Sequence, residues 1–222
     1  MEIKRMVFNP FRENTYVVWD ETKECIIIDA GNLMPREDAE LTEFIKANDL
    51  KPVMAVNTHG HFDHLAGVKY LSECYNTKFA CSAKDKFLVD SASSQAAMFG
   101  VKCGDVPAID VDLDAEAEIK FGNTTLRIIK TPGHTPGHVS LYNAEQKVLF
   151  TGDTLFRESI GRTDLPGGDY SWIMNSIIEQ IIPLGDDVQI YPGHEECSTI
   201  GHETLYNPFV TEVLNNEINY KG

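Results

Sequence analysis

Three histidines and an aspartate fall within six residues in the run Thr58-His59-Gly60-His61-Phe62-Asp63-His64. Imidazole and carboxylate are ligands for zinc and related divalent ions. His59 and His61 lie two apart on an extended segment, so a tight turn aims both rings at one point. Asp63 and His64 follow at a helix start, where a second ion would sit beside the first. The bland alternative makes Asp63 a helix N-cap and the histidines surface polar residues. So many ligand-type side chains in so short a run favour the metal.

Three later loops repeat the arrangement. Thr131-Pro132-Gly133-His134, Gly152-Asp153 and Pro192-Gly193-His194 each follow an apolar, strand-like stretch. Glycine lets the backbone turn closely there, and loops at the ends of rigid strands hold side chains accurately. A lone Pro-Gly is mostly a turn. Two of them, with the Gly-Asp and the cluster at 59–64, use five of the seven histidines.

In this order THGHFDH, TPGHTPGH, GDTLF, GRTD and YPGHEE resemble the metallo-β-lactamase superfamily, and within it the glyoxalase II-like (hydroxyacylglutathione hydrolase-like) branch. The likeness runs from Ile28 to Phe209. It implies that His59, His61 and His134 bind one metal, that Asp63, His64 and His194 bind a second, and that Asp153 bridges them. It also implies a four-layer αββα sandwich of two mixed β-sheets with helices on both outer faces. Two divalent ions per chain are expected, zinc first, with iron or manganese as alternatives.

The expected chemistry is hydrolysis of a small thioester of the hydroxyacyl-thiol type. Metal binding lowers the pKa of water from about 15.7 to about 7, giving a hydroxide to attack the carbonyl carbon. One metal would stabilise the developing oxyanion, and Asp63 would help orient the nucleophile. A thiolate leaves readily, its free pKa being about 8.5. The contrasting class is a mononuclear Fe(II) persulfide dioxygenase, in which two histidines and one carboxylate leave positions open for oxygen. Lactonase and phosphodiesterase activities rank below both. Typical glyoxalase II enzymes carry a longer, basic, helical C-terminal part, whereas the stretch 195–222 has one basic residue, Lys221. A broader or different thioester preference than glutathione's is therefore expected, with no separate C-terminal substrate-binding domain.

Four further residues are candidates for supporting roles. Asp29, at a strand end, would orient a ligand histidine or serve as an ordinary turn acid. His138 is read as supporting the ligands, not as one of them. Arg157 and Arg162 could meet a substrate carboxylate, though for Arg162 a brace with Asp164 is preferred. The segment 95–100, with Met98 and Phe99, is read as core in preference to a lid over the site.

The elements that must position these groups follow from periodicity. Strands are expected at 2–8, 14–19, 24–28, 53–56, 78–81, 118–121, 124–129, 139–142, 148–151 and 188–191. Helices are expected from Pro35, with Leu41, Phe44 and Ile45 as a stripe; from about Asp63, with Leu65, Val68 and Leu71; and within 83–103. A helix over 170–182 should turn Trp172, Ile173, Ile177 and Ile181 inward and end at Pro183. A short C-terminal helix completes two similar halves, read as one domain over 1–222.

Composition narrows the partners. The formal charge of −15, from 34 acids against 19 bases, disfavours nucleic acid as a ligand. No apolar run is long enough for a membrane span, and the five cysteines form no CxxC pair, as expected of reduced thiols in the cytoplasm. A small molecule, a thioester or another carbonyl compound, is the expected partner; oligomeric state is not encoded in these features.

Overall fold

The computed structural model describes residues 1–220; Lys221 lies outside the described residues. One six-stranded sheet contains β1 (Glu2–Phe8), β2 (Glu13–Trp19), β3 (Glu24–Ile28), β4 (Lys51–Val56), β5 (Lys78–Cys81) and β6 (Val111–Asp112), in that order. Its first three strands pair antiparallel and the remainder parallel. The chain then forms β7 (Glu118–Phe121), β8 (Thr124–Lys130), β9 (Val139–Asn143) and β10 (Val148–Gly152), followed by a small hairpin of β11 (Leu155–Phe156) and β12 (Ser159–Ile160). With β13 (Gln189–Pro192) and β14 (Ser198–Thr199) the second sheet runs β14-β13-β10-β9-β8-β7, its one parallel pair being β10 and β13.

The alternation of side chains along strands explains the layering. In β3, Ile26 and Ile28 face Leu141, Val148 and Phe150 of the other sheet, while Cys25 and Ile27 face helices. Both faces are covered, so the strand is a continuous apolar run. The outer layer on this side uses α1 (Pro35–Ala47), α2 (Phe62–Leu65), α3 (Val68–Tyr75), α4 (Lys86–Asp90) and α5 (Ala92–Met98). Pro35 opens α1, and Glu37 accepts from the free N–H groups of Leu33 and Met34. On the far side, α6 (Tyr170–Ser176), α7 (Ile200–Tyr206) and α8 (Pro208–Tyr220) cover the second sheet through Ile173, Ile177, Ile200 and Val210. The result is the expected αββα sandwich of two mixed sheets. At roughly 1.5–3 kcal/mol per fully buried aliphatic side chain, these three apolar interfaces anchor the strand ends from which the site is built.

Several local expectations are corrected. Trp172 does not turn inward: it is 49% exposed, while Ile173, Ile177 and Ile181 are fully buried. The helix does not stop at Pro183. It widens to a π-turn over Ile177–Ile181 and tightens to a 3₁₀ turn over Ile182–Leu184, where proline occupies a first-turn position that needs no N–H. The single helices expected near 63 and within 83–103 are each divided, at Ala66-Gly67 and at Ser91. Met98 and Phe99 are not core: they are 85% and 50% exposed. Among the described residues no helix is long and apolar enough to cross a membrane.

Candidate metal centre

β3, β4, β8, β10 and β13 all end at the same edge of the sandwich, and the five candidate loops start there. His59, His61 and His134 present ring nitrogens that lie within 4.8 Å of one another, and Asp63, His64 and His194 do the same with their ligand atoms. Asp153 stands between the two groups. Its Oδ1 is 3.5 Å from His64 Nε2, and its Oδ2 is 3.5 Å from His134 Nε2 and 3.6 Å from His194 Nε2. All seven residues expected at the centre converge.

Each ring is turned by a contact on its outer side. His134 Nδ1–H donates to the Arg162 carbonyl at 2.7 Å and His194 Nδ1–H to the Phe11 carbonyl at 3.1 Å, leaving both Nε2 atoms facing inward. Thr58 Oγ1 donates to Asp29 Oδ2 at 2.8 Å and receives the His59 Nδ1–H at 3.0 Å, so His59 Nε2 faces inward too. His61 is reversed, with Nδ1 2.8 Å from His134 Nε2. A carbonyl or hydroxyl behind a ring fixes its tautomer and raises its basicity as a ligand.

The fit to a cation is visible in what these atoms lack. His59 Nε2 and Asp153 Oδ1 are buried with no hydrogen-bond partner, a costly condition that coordination would relieve. His64 Nε2 and His194 Nε2 face each other at 3.2 Å, a spacing in which a cation could take the place of the shared proton. Gly193 closes the cage: a Cβ there would overlap Asp153 Oδ1 and stand 2.8 Å from His64 Cε1.

Electrostatics separate the two groups. Burial, reinforced by the neighbouring rings, pushes His59 well below the ordinary histidine range, and burial takes His61 down to about 3. Burial would lower His64 and His194 as well. There Asp153, with Asp63 close by, outweighs it and raises both. Asp153 and Asp63 are held below the usual carboxylate value against the effect of burial, chiefly by His194 and His64 for the former and by His64 for the latter. His59 and His61 are thus biased toward the neutral form that ligates, while His64 and His194 are biased toward protonated forms whose protons a cation would displace.

The supporting candidates divide. Asp29 adopts a left-handed backbone at φ 52°. Its carboxylate accepts from Thr58 N at 2.7 Å and Thr58 Oγ1 at 2.8 Å. Its Oδ2 also lies 3.2 Å from His64 Nδ1, without the alignment of a full hydrogen bond. His138 is buried, stacks 5.1 Å from His59, and accepts the Asp153 backbone N–H at 3.0 Å. Arg162 is clamped by Asp164 through two 2.7 Å bonds. Arg157 is exposed beside Glu158 and is absent from the cavity wall.

Sequence reading passed over Asp85. Fully buried, it accepts from Gly60 N at 2.9 Å, Thr135 Oγ1 at 2.6 Å and Gly137 N at 2.7 Å, tying the loop of His59 and His61 to that of His134. In the sequence it looks like an acid at a helix start, and no local pattern reveals its partners, 25 and about 50 positions away. Tyr16 and Asn14 likewise reach across the sandwich to the Pro192 carbonyl, at 2.6 and 2.9 Å, and brace the loop of His194.

The centre lies beside a cavity of about 630 Å³ whose lining includes Phe11, Phe62, Met98, Phe99 and Phe156. A wider depression of about 1270 Å³, lined by residues such as Lys84, Arg127 and Trp172, contains none of the seven candidate ligands.

With five loops converging at the edge of an αββα sandwich, the chain belongs to the metallo-beta-lactamase superfamily, matched over residues 8–194. It is 38% identical over 212 residues to the hydroxyacylglutathione hydrolase GloC of Haemophilus influenzae, across 95% of this chain and 98% of that protein. Among solved structures it is similar to the B3 metallo-beta-lactamase BLEG-1, with a TM-score of 0.87 and 32% identity over 95% of this chain and all of that one. It is also similar to TTHA1623 in a di-iron-bound form, with a TM-score of 0.83 and 30% identity over 93% of this chain and 99% of that one.

Proposed function

We propose that this chain is a two-metal hydrolase of small thioesters. The observation that carries the reading is the pair of ligand triads joined by Asp153 at the floor of a cavity of ligand size. The likeness to GloC supports a thioester of the hydroxyacyl-thiol type, and the di-iron form of TTHA1623 supports two ions and keeps iron beside zinc and manganese as the metal.

In this reading His59 and His134 through Nε2 and His61 through Nδ1 hold one ion. Asp63, His64 and His194 hold the other, and Asp153 is shared. Two divalent ions at this place supply Lewis acidity toward a carbonyl oxygen and a water with a pKa of about 7. The protein's own part is orientation. Asp63, ionised, with Oδ2 3.5 Å from His194 Nε2, aligns the attacking water. Asp29 and His138 act as positioning residues, the first through Thr58 and the second through the Asp153 backbone. The leaving thiolate needs no protein acid. A mononuclear iron dioxygenase uses one triad, and the second triad, with His64 Nε2 3.5 Å from Asp153, supports the two-ion reading, while metal content and oxygen uptake distinguish the two reactions.

Protein loaded separately with Zn(II), Mn(II) or Fe(II) and offered lactoylglutathione and simpler thioesters should release free thiol. Oxygen uptake with glutathione persulfide, combined with no thiol release from any thioester, would replace this reading with the dioxygenase.

A further inference from the structure

We propose that the substrate group held beside the centre is apolar and uncharged, so that the preferred thioester carries a hydrocarbon chain in place of a charged peptide thiol. The thioester part of this statement rests on the function proposed above.

The wall next to the cage is aromatic. Phe11 packs edge-on against Phe62 at 5.2 Å and against Phe99 at 5.5 Å, and Phe62 and Phe99 stack at 5.7 Å. Opposite them Phe156 stands 6.1 Å from His194, at 90° to its ring. Met98, beside Phe99, is 85% exposed at the cavity. A methionine and a phenylalanine left in water at the edge of a polar centre form the kind of apolar patch that marks a ligand surface, and methionine adapts to chains of different shape.

Charge points the same way. Arg162 is the one arginine or lysine among the described residues lining the cavity, and its Nε and Nη2 are already engaged by Asp164. Glu195, exposed on the rim, adds a carboxylate. The two carboxylates of a glutathione moiety would find no lysine and a single arginine already paired with Asp164 on this wall, and moving them out of water without partners is unfavourable. A hydrocarbon chain gains by leaving water, and the cavity volume is ample for one.

The test is a series of straight-chain acyl esters of N-acetylcysteamine, from acetyl to octanoyl, with lactoylglutathione as the polar reference. Calorimetric binding of the matching ketones, in which CH₂ replaces sulfur, is measured in parallel. We expect kcat/KM to rise and Kd to fall about fourfold per methylene, with the hexanoyl ester exceeding lactoylglutathione. Met98→Glu should flatten both gradients and Met98→Leu should retain them; the exposure of this side chain makes either variant safe for folding. Flat gradients, or lactoylglutathione above every apolar ester, overturn the inference while leaving thioester hydrolysis intact. A steep ketone gradient with no thioester cleaved supports the apolar wall and overturns the hydrolytic reading instead.

Discussion

The backbone N–H of Asp153 donates to His138 Nε2 at 3.0 Å, so a fully buried ring outside the metal cage sets the place of the carboxylate shared by both halves of that cage. Thr131 and Thr154 hydroxyls meet the other ring nitrogen at 2.9 and 3.0 Å. His138 is neutral by burial, as an acceptor at Nε2 must be.

Replacing His138 by Ala should therefore act through Asp153. The buried N–H loses its acceptor, which costs roughly 1–3 kcal/mol of stability, and metal affinity should drop about 10- to 100-fold. Urea denaturation and a competitive chelator titration read the two effects separately, and His138→Gln, which keeps an acceptor, should recover part of the second.

Asp85→Ala should leave three donors unpaired where two ligand loops meet. The expected loss is about 3 kcal/mol or more, seen as a lower denaturation midpoint in the metal-free protein. A midpoint within experimental error of the parent would remove Asp85 from the account.

How much of this was legible beforehand depends on whether the signal is local. His59, His61, Asp63 and His64 announce themselves because they share one turn. His134, Asp153 and His194 do so because a glycine follows an apolar strand in each case. Alternation in β3 and the stripe Leu41-Ile45 likewise follow from period alone. Asp85 and Tyr16 could not be read, since their meaning lies in backbone groups 52 and 176 positions away. Trp172 and Met98 misled for a related reason. Their apolar character suits a core, and only the tertiary arrangement shows that the first lies on an outer surface and the second beside the cavity.

Acid should destabilise the metal-free protein in a defined window. His59, His61 and His138 are depressed by burial, His61 to about 3. Below about pH 6.5 the unfolded chain protonates these rings and the native state does not. The unfolded state thus binds more protons, and stability falls as pH drops from about 6.5 toward 3. His64 and His194 are raised, so below 6.5 they are protonated in both states and do not oppose the trend. Urea midpoints between pH 7 and 4 check this; a flat profile would contradict the burial of neutral rings.

Those raised values carry a second consequence. Near pH 7 His64 holds a proton in the metal-free protein, and His194 is shifted in the same direction. Ion binding at the Asp63, His64 and His194 triad should therefore release protons. Calorimetry of zinc binding in buffers of different ionisation enthalpy should show that release, and its absence would place the cation elsewhere.

Gly193→Ala should exclude the ions by steric overlap with Asp153 and His64, and Asp153→Ala should remove their common ligand. Each should lower kcat/KM by about 1000-fold or more, the scale of several kcal/mol of lost charge stabilisation. Elemental analysis should find fewer than two ions per chain in both variants.

The most direct measurement is an anomalous-diffraction map of crystals of the untreated protein. The account predicts two peaks per chain, one among His59, His61 and His134 and one among Asp63, His64 and His194, with the Asp153 carboxylate between them. A single peak at full occupancy, or none within reach of Asp153, would contradict it.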